Sequence, residues 1–245
     1  MQLYDSIIHD TQGILECANA LSLPPANGRI WKDTGESQLI MLRDTAFELG
    51  GSGNESVNFT CVTTSGIVGR DEILLCGPDL PQIRKDVPFA RIAILEVEDL
   101  KETEDTEKAY DTIRSIEYVR YHVFPAGYMV RVSSSTNEEQ VRVSRSAMRA
   151  GISFRYIGET YIRRYRKLPA VRHVRMAFVT DGRVVEQLKP LAGKVDDITK
   201  TLTHILDGLP TDCGHCSMKS VCDEVDGMRE MHLGRSSRSA DASDH

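Results

Sequence analysis

Residues 90–97 read ARIAILEV, an almost continuous apolar run with the length of a strand. A run of this kind predicts a well-buried β-strand. Three runs before it also predict strands: 38–42 (QLIML), 57–63 (VNFTCVT) and 72–76 (EILLC). The turn residues that begin at Gly77 stop the third run. Strands therefore dominate the first hundred residues.

The remaining elements follow from periodicity and from capping residues. Further strands are predicted at 127–132 and 171–179, and helices at 1–22, 105–120, 138–149, from Ser153 to about Leu168, and 194–206. Asn137 suits the N-cap of the third helix, and Glu138 and Glu139 suit the positive end of its dipole. Ser153 suits the N-cap of the fourth helix.

This mixture predicts an α+β fold with a mixed sheet flanked by helices and a C-terminal metal-binding cysteine segment. Four parts are expected along the chain. They are an N-terminal helix and connector (1–35), an α+β domain (36–207), a cysteine segment (208–234) and a disordered tail (235–245).

Composition excludes several classes of protein. Hydrophobic residues make up 40% of the 245 residues and charged residues 27%, which is typical of globular chains. No apolar run approaches the roughly 20 residues that span a bilayer. The first ten residues (MQLYDSIIHD) lack the basic start of a secretory signal, so a cytoplasmic protein is expected. The net charge of −6 argues against nucleic acid as a partner.

Three of the six cysteines are close together near the C-terminus. Cys213 and Cys216 form a CxxC pair, and Cys222 follows six residues later. This clustering argues against an extracellular disulfide framework and predicts a local set of metal ligands. Thiolates select iron–sulfur clusters, Zn²⁺ or Cu(I), and the spacing favours a [4Fe–4S] cluster over zinc.

Such a cluster needs four ligands, and three are local. The fourth ligand could come from this chain, from a partner chain or from a small molecule. The candidates in this chain are Cys17, Cys61, Cys76, Asp212, His215 and His232. Zinc held by the three cysteines and His232 is the main alternative, since His215 lies awkwardly inside the CxxC loop. A third possibility is reduced cysteines, or a disulfide, without a metal. Cys17, Cys61 and Cys76 are each expected to be buried small apolar residues.

A basic stretch runs from Arg155 to Arg175, with six arginines and Lys167 against the single acid Glu159. One interpretation is a solvated face that balances seven carboxylates between Glu96 and Glu107. The other is a site for phosphates, because arginine makes bidentate phosphate contacts. A nucleotide-like cofactor such as coenzyme A would fit that charge.

Several short motifs occur in a familiar order. They are 48–51 (ELGG), 76–80 (CGPDL), 151–159 (GISFRYIGE), 174–181 (VRMAFVTD) and then the cysteine segment. This order resembles the catalytic β subunit of the CO-methylating acetyl-CoA synthase family. The resemblance spans about residues 36–222 and covers that enzyme's middle domain and the start of its A-cluster segment.

The resemblance implies an iron–sulfur protein of anaerobic one-carbon metabolism. In that family cysteines hold a [4Fe–4S] cubane bridged to two nickel ions, and middle-domain arginines face coenzyme A. The resemblance therefore makes Arg163, Arg164 and Arg166 candidates for binding coenzyme A here, without a residue-by-residue match. The fourth cluster cysteine and the nickel-binding Cys-Gly-Cys are missing, so nickel and full acetyl-CoA synthesis are not expected.

Three functions follow from these observations. The chain is an iron–sulfur enzyme or subunit acting on a small-molecule or acyl-carrier substrate, or a non-catalytic electron-transfer or cluster-assembly partner, or a structural zinc module. A ligand set of three also suggests that a homodimer or heteromer completes the metal site.

Overall fold

A computed structural model describes residues 3–25, 28–51, 53–98, 106–132 and 138–206. Within these ranges the chain forms two β-sheets and five α-helices. The fold is α+β, with a mixed sheet flanked by helices, as the sequence predicts.

The larger sheet has five strands. They are β1 (Leu21–Ser22), β3 (Ser56–Thr63), β4 (Glu72–Cys76), β5 (Phe89–Val97) and β8 (Val171–Val179). Their order is β1-β4-β8-β5-β3. β3 runs parallel to β5 and β4 parallel to β8, while β5 and β8 are antiparallel. Every residue of β5 is buried, which confirms the strand predicted from the apolar run at 90–97.

The smaller sheet has three antiparallel strands. They are β2 (Thr45–Leu49), β6 (Tyr128–Val132) and β7 (Glu139–Ser144), in the order β2-β7-β6. Its central strand begins beside β3, where the Ser56 hydroxyl donates a hydrogen bond to the Glu139 carbonyl. The two sheets therefore meet at the edge of the larger sheet that β3 forms.

Five helices surround the sheets: α1 (Asp5–Cys17), α2 (Thr106–Tyr121), α3 (Arg145–Arg149), α4 (Phe154–Tyr165) and α5 (Gly182–Leu206). α4 packs on β8 and β4, and α2 packs beside α4. α5 packs on β3 and β5, and α1 packs on α5. Gly158 of α4 lies so close to β4 that a Cβ atom there would be 2.8 Å from Ile73 Cδ1. None of the described helices is long and apolar enough to cross a membrane.

Two predicted elements are wrong. Residues 38–42 contain no strand; a short 3-10 helix covers Leu42–Asp44 and β2 begins only at Thr45. Leu39 is 79% exposed and Leu42 is exposed as well, so of this apolar run only Ile40 is buried. The helix predicted over 138–149 is instead β7 followed by the short α3. Val141 and Val143 are buried between β2 and β6, and this burial outweighs the weak helical pattern.

The caps also differ from the prediction. Ser144 caps α3, because its hydroxyl accepts a hydrogen bond from the Ala147 N–H at 3.1 Å, whereas Asn137 lies outside the described residues. Ser153 occupies the N-cap of α4 without a capping side-chain bond. The Asp79 carboxylate caps the helix instead, because it accepts a hydrogen bond from the Phe154 N–H at 2.8 Å.

The last helix is longer than predicted. It begins at Gly182 rather than near residue 194 and continues through Pro190. A proline normally weakens a helix interior. Here Val185, Leu188 and Val195 are buried on one side of the helix, and this packing outweighs the cost of the proline.

Candidate functional site

The predicted metal ligands Cys213, Cys216 and Cys222 lie outside the described residues, as does His232. Within the described ranges there is no group of three or more His, Cys, Asp or Glu side chains placed to hold a metal ion. The metal centre therefore stays a prediction from the cysteine spacing.

The other three cysteines differ in accessibility. Cys61 and Cys76 are buried, and Cys17 is exposed at the end of α1. The prediction of three buried thiols is thus wrong for Cys17. Burial raises the pKa of the Cys61 thiol. Burial, with a smaller effect of the Asp181 carboxylate, also raises the pKa of Cys76. Both thiols therefore stay protonated near neutral pH, and Cys17 is the one with solvent access.

The three predicted cofactor-binding arginines point to different places. Arg163 donates to the Trp31 carbonyl at 3.4 Å, and Arg166 donates to the Val171 carbonyl at 2.9 Å. Arg166 also lies 3.7 Å from the Asp71 carboxylate. Arg164 instead lines a groove between α2 and α4.

This groove, called here the α2–α4 groove, has a volume of about 640 Å³. Its residues are Arg114, Ser115, Tyr118 and Val119 from α2, and Arg164, Lys167 and Leu168 from the end of α4. Residues three and four apart lie on one helix face, which brings Arg114, Ser115 and Tyr118 together. Val119 is buried and Leu168 is partly buried, so the floor of the groove is apolar.

The groove is strongly basic. Three of its residues are cations, and none of the seven is acidic. Arg164 and Lys167 make no ion pair with a carboxylate in the part of the chain that the structure describes. The C-terminus of α4 carries about half a negative charge, which the charges of Arg164 and Lys167 outweigh.

These residues can bind an anion with several oxygen atoms. Guanidinium groups make bidentate contacts to phosphate or carboxylate, and an ammonium group adds a point charge. The Ser115 hydroxyl is a further donor, and the Tyr118 ring provides an aromatic surface. The volume lies within the range of about 300–1,000 Å³ typical of small-molecule sites.

A buried ion pair contacts both helices that form the groove, and the sequence did not predict it. Arg91 of β5 donates to both carboxylate oxygens of Glu139, at 2.9 and 2.5 Å. The side chains are only 1% and 0% exposed. Burial works to lower the pKa of Arg91, but the Glu139 carboxylate raises it well above its ordinary value. The Asn58 side chain also donates a hydrogen bond to the Glu139 carboxylate. Both oxygen atoms of this buried carboxylate therefore accept hydrogen bonds.

This ion pair positions both helices of the groove. Arg91 donates to the Arg120 carbonyl near the end of α2 at 3.1 Å. The Arg120 guanidinium in turn donates to the Asn58 carbonyl at 2.5 Å. On the other side, the Arg91 guanidinium stacks on the ring of Tyr161 in α4, 4.5 Å from its centroid. The buried Arg91–Glu139 ion pair therefore contacts both helices and holds α2 and α4 in place against the larger sheet.

Three of the motifs on which the family resemblance rests meet at the ends of β4 and β8. The Thr180 N–H donates to the Cys76 carbonyl at 2.8 Å, and the Asp79 carboxylate accepts from Phe154. Burial raises the pKa of Asp79, and the N–H groups of Phe154 and Leu80 oppose that rise. These contacts cap helices and close turns, so this junction has a structural role.

A second depression, of about 600 Å³, lies beside the smaller sheet and is called here the Trp31 depression. Trp31, Ile40 and Ala147 are among its mainly apolar lining residues, which include Asp44 and no cation. Its chemistry does not suit a phosphate.

A scan against models of protein families found no match to the chain, and a search of curated proteins found no significant match. The functional assignment therefore depends on the residues and on their geometry.

Proposed function

We propose that the described part of the chain binds a phosphate-bearing cofactor in the α2–α4 groove. The observation that carries this proposal is the convergence of Arg114, Arg164 and Lys167 on one groove without an acidic lining residue. Coenzyme A is the proposed cofactor, because it carries several phosphate groups and because the motif order resembles the acetyl-CoA synthase family.

The cysteine segment adds a second proposed element. Cys213, Cys216 and Cys222 hold a [4Fe–4S] cluster with an incomplete protein ligand set. An iron left without a protein ligand in such a cluster would supply Lewis-acid chemistry towards a small molecule or a thiolate. With both the α2–α4 groove and the cluster, the protein would be an iron–sulfur enzyme or enzyme subunit. Its chemistry would be of the one-carbon or acyl type, without full acetyl-CoA synthesis.

The same cysteine spacing supports two alternatives. A non-catalytic protein would use the cluster for electron transfer or cluster assembly, and a structural zinc module would hold Zn²⁺ with His232 as the fourth ligand. Exposed Cys17 is a further ligand candidate for either metal, since its thiol is accessible.

Replacing Arg164 with alanine is expected to weaken coenzyme A binding about 10- to 150-fold, because a hydrogen bond to a charged group contributes about 1.5–3 kcal/mol. Lys167→Ala is expected to weaken binding less and to reduce its salt dependence. Isothermal titration calorimetry at two salt concentrations measures both effects.

Arg43→Ala is the matched control, since this arginine is 84% exposed and lies far along the chain from the groove residues. It removes the same charge without touching the groove and is expected to leave the affinity unchanged. Equal affinities for the Arg164 and Arg43 variants, or no binding by the wild-type protein, would contradict the proposed function.

A further inference from the structure

The groove contains an exposed aromatic ring that the phosphate site does not need. Tyr118 is 57% exposed, although most large rings in the described part of the chain are buried. The ring of His122 stacks on it with the centroids 3.6 Å apart and the planes 7° from parallel. The Tyr118 ring therefore lines the groove, and the His122 ring supports one of its faces.

Two contacts hold the His122 ring in place. His122 Nδ1 lies 2.7 Å from the Tyr118 carbonyl oxygen, at hydrogen-bonding distance. The edge of the His122 ring also meets the ring of Phe124, at 6.1 Å and 79°. Because these contacts fix the imidazole, the Tyr118 ring is restrained before any ligand arrives. A restrained ring loses little conformational entropy when a second ring stacks on it.

We propose that the Tyr118–His122 stack is the platform on which the planar aromatic base of the ligand stacks, so that the groove recognises the base of a nucleotide as well as its phosphates. This inference rests on the proposed phosphate site. The base stacks on Tyr118, and the phosphates attached to its sugar reach Arg164 and Lys167.

The arrangement matches the chemistry of the ligand class. Aromatic side chains stack on any base through its π-face, while arginine and lysine bind the phosphate oxygens. Arg114 lies one turn before Tyr118 on α2 and lines the same groove. The side chains for base and phosphate thus line one groove, and Tyr118 becomes the residue that distinguishes a nucleotide from an inorganic diphosphate.

The test compares adenosine diphosphate with inorganic pyrophosphate by calorimetry on the full chain. We expect the wild-type protein to bind the nucleotide more tightly. Tyr118→Ala is expected to weaken nucleotide binding about 5- to 150-fold and to leave pyrophosphate binding unchanged. Tyr118→Phe keeps the ring and is expected to retain the wild-type preference, which separates loss of stacking from loss of the fold.

The outcomes separate failure of the platform from failure of the phosphate site. Equal binding of both diphosphates, with no effect of Tyr118→Ala on either, overturns the platform and leaves the phosphate site standing. Loss of pyrophosphate binding in Tyr118→Ala but not in Tyr118→Phe also overturns it, since the ring would then support the cations. If wild-type protein binds neither diphosphate, both the platform and the phosphate site are wrong.

Discussion

Replacing Glu139 with alanine is expected to lower the free energy of unfolding by about 3–5 kcal/mol, because it leaves the buried Arg91 guanidinium without its counter-charge. Arg91 is 1% exposed and receives its charge compensation from the two Glu139 oxygens. A domain is typically stable by about 5–15 kcal/mol, so the variant loses a large part of its stability. Urea unfolding measures the difference.

Two further variants make this result specific. Asp196→Ala removes the exposed partner of Lys200, four residues away on α5, and is expected to cost less than about 0.5 kcal/mol. Combining Arg91→Met with Glu139→Leu removes both charges and is expected to recover much of the lost stability. If Glu139→Ala and Asp196→Ala destabilise the protein equally, the Arg91 charge does not depend on Glu139.

Replacing Cys222 with alanine is expected to remove most of the iron and sulfide from anaerobically purified protein, because a cluster with only two local thiolates is poorly held. The wild-type protein should be coloured and contain iron and sulfide in similar amounts. Metal analysis of iron, sulfide, nickel and zinc measures the effect, and nickel is expected to be absent.

The described cysteines supply the controls. Cys76→Ala changes a buried thiol and is expected to leave the iron content unchanged. Cys17→Ala tests the exposed thiol, and a loss of iron in this variant would make Cys17 the fourth ligand. A colourless wild-type protein with one zinc and no iron would contradict the iron–sulfur assignment and support the zinc module. Unchanged iron in Cys222→Ala would remove that residue from the ligand set.

The parts of the fold that sequence patterns predict are those with strong local signals. Residues 171–179 form β8 as predicted, and the stripe that follows Ser153 forms α4. The failures are elements whose conformation is decided by distant partners. β7 is a strand because β2 and β6 pair with it on both sides, and nothing within residues 138–149 shows that pairing.

The same limit applies to the candidate site. Arg164 is visible in the sequence as part of a basic stretch, but Arg114 and Tyr118 join it only because α2 packs beside α4. Glu139 suits a helix N-terminus by its sequence position. Its role as the partner of Arg91 depends on two sheets meeting at β3, a contact between residues far apart along the chain.

An amide nuclear magnetic resonance titration with coenzyme A shows whether the ligand binds in the α2–α4 groove. We expect the largest chemical-shift changes on α2 around Ser115 and Tyr118 and at the end of α4 around Arg164 and Lys167, with the Trp31 depression unchanged. Shifts that cluster at the Trp31 depression, or none at saturating coenzyme A, would contradict the claim that the α2–α4 groove is a cofactor site.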